Sequence, residues 1–256
     1  MKSPIDRRVF LRTAAAVAGA LLLAGCDRLS RTRWFPPILE SAESLNRRVQ
    51  RLVTTRSSMA KEYPVSDISP TFRSNGTAVP EDAGYIQLAR NGFRDWALEV
   101  GGLVERPLRL TLADLRAMPS RTQVTRHDCV EGWSAIGQWT GVPLHEVLAR
   151  AVPRPQARYV VFRCADPMEG TDGSRYYESI DMEDARHPQT LLAYALNGAP
   201  LPVPNGAPLR LRVERQLGYK MAKYLMSVEL VESFEHIRGG RGGYWEDQGY
   251  EWYAGI

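Results

Sequence analysis

The sequence predicts a single α+β domain dominated by strands, and three observations predict it. Short apolar or alternating runs outnumber amphipathic helical stretches, and turn pairs such as Gly101-Gly102 and Asn197-Gly198 punctuate them. No strand-helix alternation is sustained as a parallel doubly wound sheet requires. Hydrophobic residues make up 44% of the 256 residues, which suits one sizeable core, and no internal repeat divides it.

The elements follow in chain order. Residues 1–25 form an export address: Asp6-Arg7-Arg8-Val9-Phe10-Leu11-Arg12 precedes an apolar stretch from Thr13 to Ala24, the order of a twin-arginine signal. That stretch is shorter than the roughly 20 residues a spanning helix needs. Leu23-Ala24-Gly25-Cys26 resembles a lipobox, with Cys26 as the lipidated residue and Asp27 as an inner-membrane retention signal; the other reading is a soluble export signal that happens to contain a cysteine. The expected location is therefore periplasmic, lipid-anchored to the inner membrane, after folded export that suits a protein loaded with a cofactor. Losing Lys2, Arg7, Arg8 and Arg12 with Asp6 lowers the net charge from +4 to +1, so no nucleic-acid footprint remains.

Residues 26–70 comprise a tether, an amphipathic helix from Ile38 to Thr54, and an extended arm that continues from Arg56 to Pro80 without a sustained period. The domain proper is assigned to residues 71–235. Strands are expected at Trp96 to Val100, Leu108 to Leu110, Gln123 to Asp128, Tyr159 to Phe162, Leu191 to Leu196, Leu209 to Val213 and Tyr224 to Val231. Thr111 with Asp114 marks a capping-box helix ending at Met118-Pro119, and Pro143 to Ala151 reads as a second helix. Gly170 to Glu178 reads as a polar loop. The tail, 236–256, is glycine-rich and aromatic and reads as an arm packed on the domain.

Cys129 ends a predicted strand, where loops carry chemistry. With Cys26 assigned to lipid, Cys129 and Cys164 remain: an oxidising compartment favours a disulfide between them, whereas a retained thiolate is a strong metal ligand. Strand alternation turns His127 to the face of Cys129, either as a hydrogen-bonding group in a site or as a half-buried histidine.

Cys129-Val130-Glu131-Gly132-Trp133-Ser134, followed by Trp139-Thr140-Gly141-Val142-Pro143-Leu144, resembles the molybdopterin-binding domain of the sulfite oxidase family. Within it, the likeness is greatest to the bacterial periplasmic branch that holds the catalytic subunit of protein-methionine-sulfoxide reductase. A second block, Asn205-Gly206-Ala207-Pro208-Leu209-Arg210 with Gly218-Tyr219-Lys220 through Lys223, resembles the family's later cofactor segment. The resemblance covers roughly residues 70 to 235. It implies a sulfite-oxidase-type fold, molybdenum bound by Cys129, and molybdopterin without an added nucleotide, held by Asn205, Arg210, Lys220 and Lys223. Phe72, Arg73 and Asn75, in the run Thr71 to Gly76, correspond to the family's first cofactor arm, while His127 and Cys164 are further pocket candidates.

Arg175, Tyr176 and Tyr177 fall where the family places substrate-side groups, Arg175 offering a cation to an anion such as sulfite or a solvated charge. The implied activity is oxygen-atom transfer on a small or protein-borne sulfur compound, with sulfoxide reduction ahead of sulfite dehydrogenation. No C-x-x-C-H haem site is present in the sequence, so a membrane haem protein or periplasmic cytochrome is the expected electron partner. A monomer is expected, since the chain ends soon after the cofactor segment. The reading from another class is a non-catalytic envelope lipoprotein with a Cys129–Cys164 disulfide.

Overall fold

The computed structural model describes residues 31–53, 55, 57–168 and 174–256; the export signal and Cys26 lie outside them. The chain divides into two compact units, Met1–Val53 and Thr54–Ile256. The first contains α1 (Phe35–Val53). It starts three residues before the apolar periodicity because Pro36 and Pro37 suit a first helical turn, where their missing N–H groups would have no partner anyway. Ile38, Leu45, Val49 and Leu52 are exposed. Among the described residues, no helix is long and apolar enough to cross a membrane.

The second unit pairs two sheets with short helices. Its first sheet runs in the order β2 (Leu108–Thr111), β1 (Ala97–Gly102), β10 (Leu225–Val231), β5 (Tyr159–Pro167), β6 (Arg175–Asp181). Only β1 with β10 is parallel; the other neighbours are antiparallel. The second sheet runs β3 (Arg121–Cys129), β4 (Trp133–Pro143), β7 (Leu191–Leu196), β8 (Ala199–Pro200), with β9 (Arg210–Arg212) also on β7. Helices α2 (Ala83–Arg90), α3 (Leu112–Ala117), α4 (Leu144–Ala151), α5 (Met182–Arg186) and α6 (Tyr244–Asp247) complete it.

Local sequence explains the legible parts. In β1, Leu98 and Val100 are buried while Glu99 is exposed. Thr111 and Asp114 form the capping box of α3 in both directions. Asn197 and Gly198 both take positive φ, 51° and 78°, closing the tight β7–β8 hairpin. The main core joins Leu98, Val142, Leu148, Phe162 and Leu230, so strands of both sheets and α4 share one apolar interior.

Two expectations change. Gly170 to Glu178 is not wholly a loop, because residues 175 to 178 open β6, in which Tyr176 to Ile180 are all buried. Its polar side chains satisfied the appearance of a loop, yet Glu178 and Ser179 find partners in the turn before β10 and in the tail. The Leu209 to Val213 strand shortens to β9, and Arg210, Leu211 and Arg212 are all buried in place of alternating with solvent. The arm lies along the second sheet, with Tyr63 N–H donating to the Val124 carbonyl at 2.9 Å and Ser69 N–H to the Ile136 carbonyl at 3.0 Å.

Candidate active site

Strand β3 carries His127 and Cys129 on one face and delivers the thiol to the β3–β4 turn, where Cys129 pairs in register with Trp133. Gly132 takes φ 84° to close that turn. The Glu131 carboxylate accepts from Trp133 Nε1 at 2.9 Å and from Gly76 N–H at 3.2 Å, so it ties the arm to the turn. These bonds, that from Trp133 foremost, hold its carboxyl below the usual carboxylate range.

Cys129 opens into a cavity of about 230 Å³ that also touches Asn75, Asp166, Tyr176 and Lys223. Burial pushes its thiol up, against the opposing pull of a backbone hydrogen bond at Glu131 and the charges of Arg210 and Arg73. A metal at this thiol would supply the stabilisation that keeps it deprotonated.

The block from Asn205 to Lys223 brings two buried cations to this region. Arg210 is fully buried, donating to the carbonyls of Asn205 at 2.9 Å and Met221 at 3.2 Å, while its Nε has no partner. Burial and the neighbouring Arg212 lower it to about 9. Lys223 donates only to uncharged oxygens: Ser74 Oγ at 3.2 Å and the carbonyls of Thr77 at 2.5 Å and Pro204 at 2.9 Å. Burial and Arg210 lower it to about 7. Among the described residues neither cation meets a carboxylate at ion-pair distance. Burying unpaired cations is costly, and an anionic ligand offsets that cost.

Arg212 has no such need, because Glu214 chelates it through both carboxylate oxygens, at 2.9 and 2.6 Å. It also donates to His127 Nδ1 at 2.9 Å, and since a guanidinium can only donate, the imidazole proton sits on Nε2. Burial, then Arg212, Arg210 and Lys223, push His127 well below its ordinary value, so the ring is neutral. Its Nε2 has no partner and faces Gly218, where a Cβ would come within 2.5 Å of it. Only glycine permits that approach.

The other sequence candidates separate. Asn75 reaches the cavity, with its Oδ1 unpartnered. Phe72 packs instead on Trp139, ring centroids 5.0 Å apart, and Arg73 lies 5.4 Å from the Trp133 ring. Asn205 is buried with a free Nδ2. Lys220 does not line the cavity; it is buried between Glu178 and Glu246 and bonds to both. Tyr176 lines the cavity, its hydroxyl donating to the Tyr219 carbonyl, whereas Tyr177 donates to Asp247 at 2.5 Å on the other face of β6. Arg175 is ion-paired with Asp82 and lies outside the cavity lining.

Cys164 belongs to the main core and is not among the residues that line the cavity. Both cysteines are free, so the Cys129–Cys164 disulfide of the non-catalytic reading is absent.

Several wall residues escaped the sequence reading: Asp166, Met168, Tyr219, Met221, Trp245 and Tyr250. Tyr219 neighbours a predicted cofactor lysine, but no local signal marks Trp245 or Tyr250, which arrive from the tail.

The donor set suits a metal that brings its own chelator. Among the described residues no three His, Cys, Asp or Glu side chains converge on one point, so the protein offers one thiol and, near it, cations with unpartnered polar atoms. That is a cradle for an anionic organic cofactor more than a cage for a bare ion.

The comparisons with known proteins agree. Residues 72–236 match the model of the oxidoreductase molybdopterin binding domain. A protein provisionally named protein-methionine-sulfoxide reductase subunit YedZ1, from Azospira oryzae, is 39% identical over 249 residues, covering 97% of this chain and 87% of its own. The protein-methionine-sulfoxide reductase catalytic subunit MsrP of Xanthomonas axonopodis pv. citri is 44% identical over 146 residues, 54% of this chain and 45% of that protein. The crystal structure of the sulfane dehydrogenase SoxCD from Paracoccus pantotrophus superposes with TM-score 0.50 at 24% identity, over 59% of this chain and 45% of that one, which shows a shared fold. With the family model spanning well over half its length, the chain belongs to the oxidoreductases built on a molybdopterin-binding domain.

Proposed function

We propose that this chain is the catalytic subunit of a periplasmic methionine-sulfoxide reductase, anchored at the inner membrane through Cys26 and supplied with electrons by a membrane haem protein. The observation that carries the reading is one free thiol, Cys129, in a cavity lined also by Lys223, with the buried Arg210 near enough for its charge to act on the thiol; among the described residues neither cation has a carboxylate partner at ion-pair distance. The names of the two methionine-sulfoxide-reductase relatives support the substrate class.

Cys129 would hold the metal; Arg210 and Lys223 would compensate the anionic charge of the pterin and its phosphate; Asn75 and Asn205 would complete its hydrogen bonds, with the neutral His127 packed behind Gly218. When bound, the cofactor supplies two-electron redox capacity and oxygen-atom transfer. The reaction balances as a methyl sulfoxide plus two protons and two electrons giving the thioether and water. The apolar part of the wall, with Met168, Met221 and Trp245, offers a surface for the methyl and methylene groups of a sulfoxide. Sulfite dehydrogenation fits less well, since Arg175, the cation suited to an incoming anion, is engaged by Asp82 outside the cavity.

Metal and pterin analysis of protein exported by its native route tests this reading, alongside sulfoxide-dependent oxidation of a reduced dye and sulfite-dependent cytochrome reduction. Molybdenum near one equivalent, with turnover of methionine sulfoxide and little of sulfite, is expected. Cys129→Ser lowers turnover by more than about 100-fold while the fold persists. Full activity in that variant, or a native protein without molybdenum, contradicts the assignment.

A further inference from the structure

The family match ends at residue 236, yet the cavity that holds Cys129 is walled in part by Trp245 and Tyr250. These rings are stacked, with centroids 5.3 Å apart and planes inclined by 29°. Tyr219 meets Tyr250 edge-on at 5.3 Å, and Tyr244 meets Trp245 edge-on at 5.2 Å. Two thioethers, Met168 and Met221, line the same cavity. Residues beyond the stretch that the family model matches thus add two aromatic rings to a cavity wall whose thioethers come from within that stretch.

The wall is held rigidly. Glu246, between the two positions, is buried and bonded to Lys220. Asp247 accepts from the backbone of Gly239 and of Arg241, each at 3.1 Å, and from the Tyr177 hydroxyl. The Tyr250 N–H donates to the Trp245 carbonyl at 3.0 Å, which fixes the two rings in one turn. The Tyr219 hydroxyl donates to the Glu251 carbonyl at 2.7 Å, pinning the segment from the cavity side.

At the rim, apolar side chains stand beside the exposed Glu131 carboxylate. Tyr250 is 40% exposed and Val130 is 46% exposed, and both line the cavity, so an apolar surface continues from the interior to solvent. A free sulfur anion would gain nothing from such a rim. A thioether or methyl sulfoxide on a longer chain would, because sulfur is attracted to aromatic rings and the flanking methylenes bury apolar area.

We infer that Trp245 and Tyr250 form a substrate subsite for the side chain of an oxidised methionine carried on a polypeptide, Trp245 within the cavity and Tyr250 with Val130 at its mouth. The inference deepens the function proposed above and rests on it. The tail is a specificity element: it selects a peptide-borne methyl sulfoxide over smaller sulfoxides that do not reach the rim.

The test uses the molybdenum-loaded enzyme with two substrates, a short peptide containing methionine sulfoxide and dimethyl sulfoxide. In Trp245→Ala and in Tyr250→Ala, the ratio of kcat/KM for the peptide to that for dimethyl sulfoxide falls about 10-fold, mostly through KM, and Trp245→Phe restores most of it. Calorimetric affinity for the reduced methionine peptide, read without turnover, weakens in parallel.

An unchanged ratio in both alanine variants overturns the subsite while leaving the sulfoxide reductase reading intact. So does an equal loss on both substrates accompanied by loss of molybdenum, which would mark a purely structural role. A wild-type enzyme that reduces neither sulfoxide removes the function and the subsite together.

Discussion

Lys220 and Lys223 stand three residues apart and meet opposite environments. Lys220 points between two buried carboxyls, whereas Lys223 points at neutral oxygens beside the cavity. Both follow Gly218 in one short run, and nothing in the spacing shows that the 3-10 turn at Gly218–Lys220 parts their directions. Asp166, also in the cavity wall, gives the residue-scale prediction. Burial raises its carboxyl to about 6 from 3.8, with one oxygen left unpartnered. Its folded-state value lies above its unfolded value, so its favourable contribution is complete below about 4 and is lost as pH rises through about 6. In the metal-free protein, stability relative to Asp166→Asn therefore declines across that window by roughly 3 kcal/mol. The lowered Lys223 acts with the opposite sign: its contribution is complete above about 10.5 and is lost as pH falls towards about 7, above the Asp166 window. Urea unfolding of both proteins at pH 4, 5, 6 and 7 checks this; parallel curves would show that Asp166 does not carry the shift.

Elements were legible where local pattern and tertiary environment agree. Helix α4 is one such case, since Leu144, Val147, Leu148 and Ala151 recur at helical spacing and all are buried. Leu148→Ala is expected to cost roughly 2–5 kcal/mol through lost burial and a cavity, while Arg150→Ala on the outer face changes stability by less than about 0.5 kcal/mol. Chemical denaturation separates the two, and equal small effects would deny α4 its place in the core. Strand β6 is the opposite case. Its sequence Arg-Tyr-Tyr-Glu-Ser-Ile-Asp looks solvated, because the long-range partners of Glu178 and Ser179 lie between 42 and 73 residues further along the chain. Period-two reasoning cannot see such partners. The same applies to β9, whose two arginines are buried by Glu214, by carbonyls and by the Trp139 ring, with Arg212 4.3 Å from its centroid. The Cys129 neighbourhood was readable because its residues are contiguous; the aromatic wall was not, because it is assembled from distant segments.

At the scale of the whole second unit, the Lys220–Glu178–Glu246 cluster joins β6, the turn before β10 and the tail helix α6 at one fully buried point. One lysine faces two carboxyls, and burial together with Glu246 pushes Glu178 well above the usual carboxylate range. Charge balance is met when one of the two carboxyls keeps its proton, leaving an ammonium, a carboxylate and a carboxylic acid. Breaking this cluster from one side is therefore far more damaging than removing it whole. Lys220→Met leaves two buried acids without a cation and is expected to destabilise the protein by about 3–5 kcal/mol, while loosening the segment that carries Trp245. The triple replacement of Lys220 by Met and of Glu178 and Glu246 by Gln is expected to recover most of that loss, since neutral side chains of similar size no longer need a counter-charge. Denaturant unfolding gives the stabilities, and hydrogen exchange at residues 244 to 250 reports the tail directly. If Lys220→Met unfolds as the wild type does and the tail stays protected, the aromatic wall must be held by ring packing and the Asp247 bonds alone.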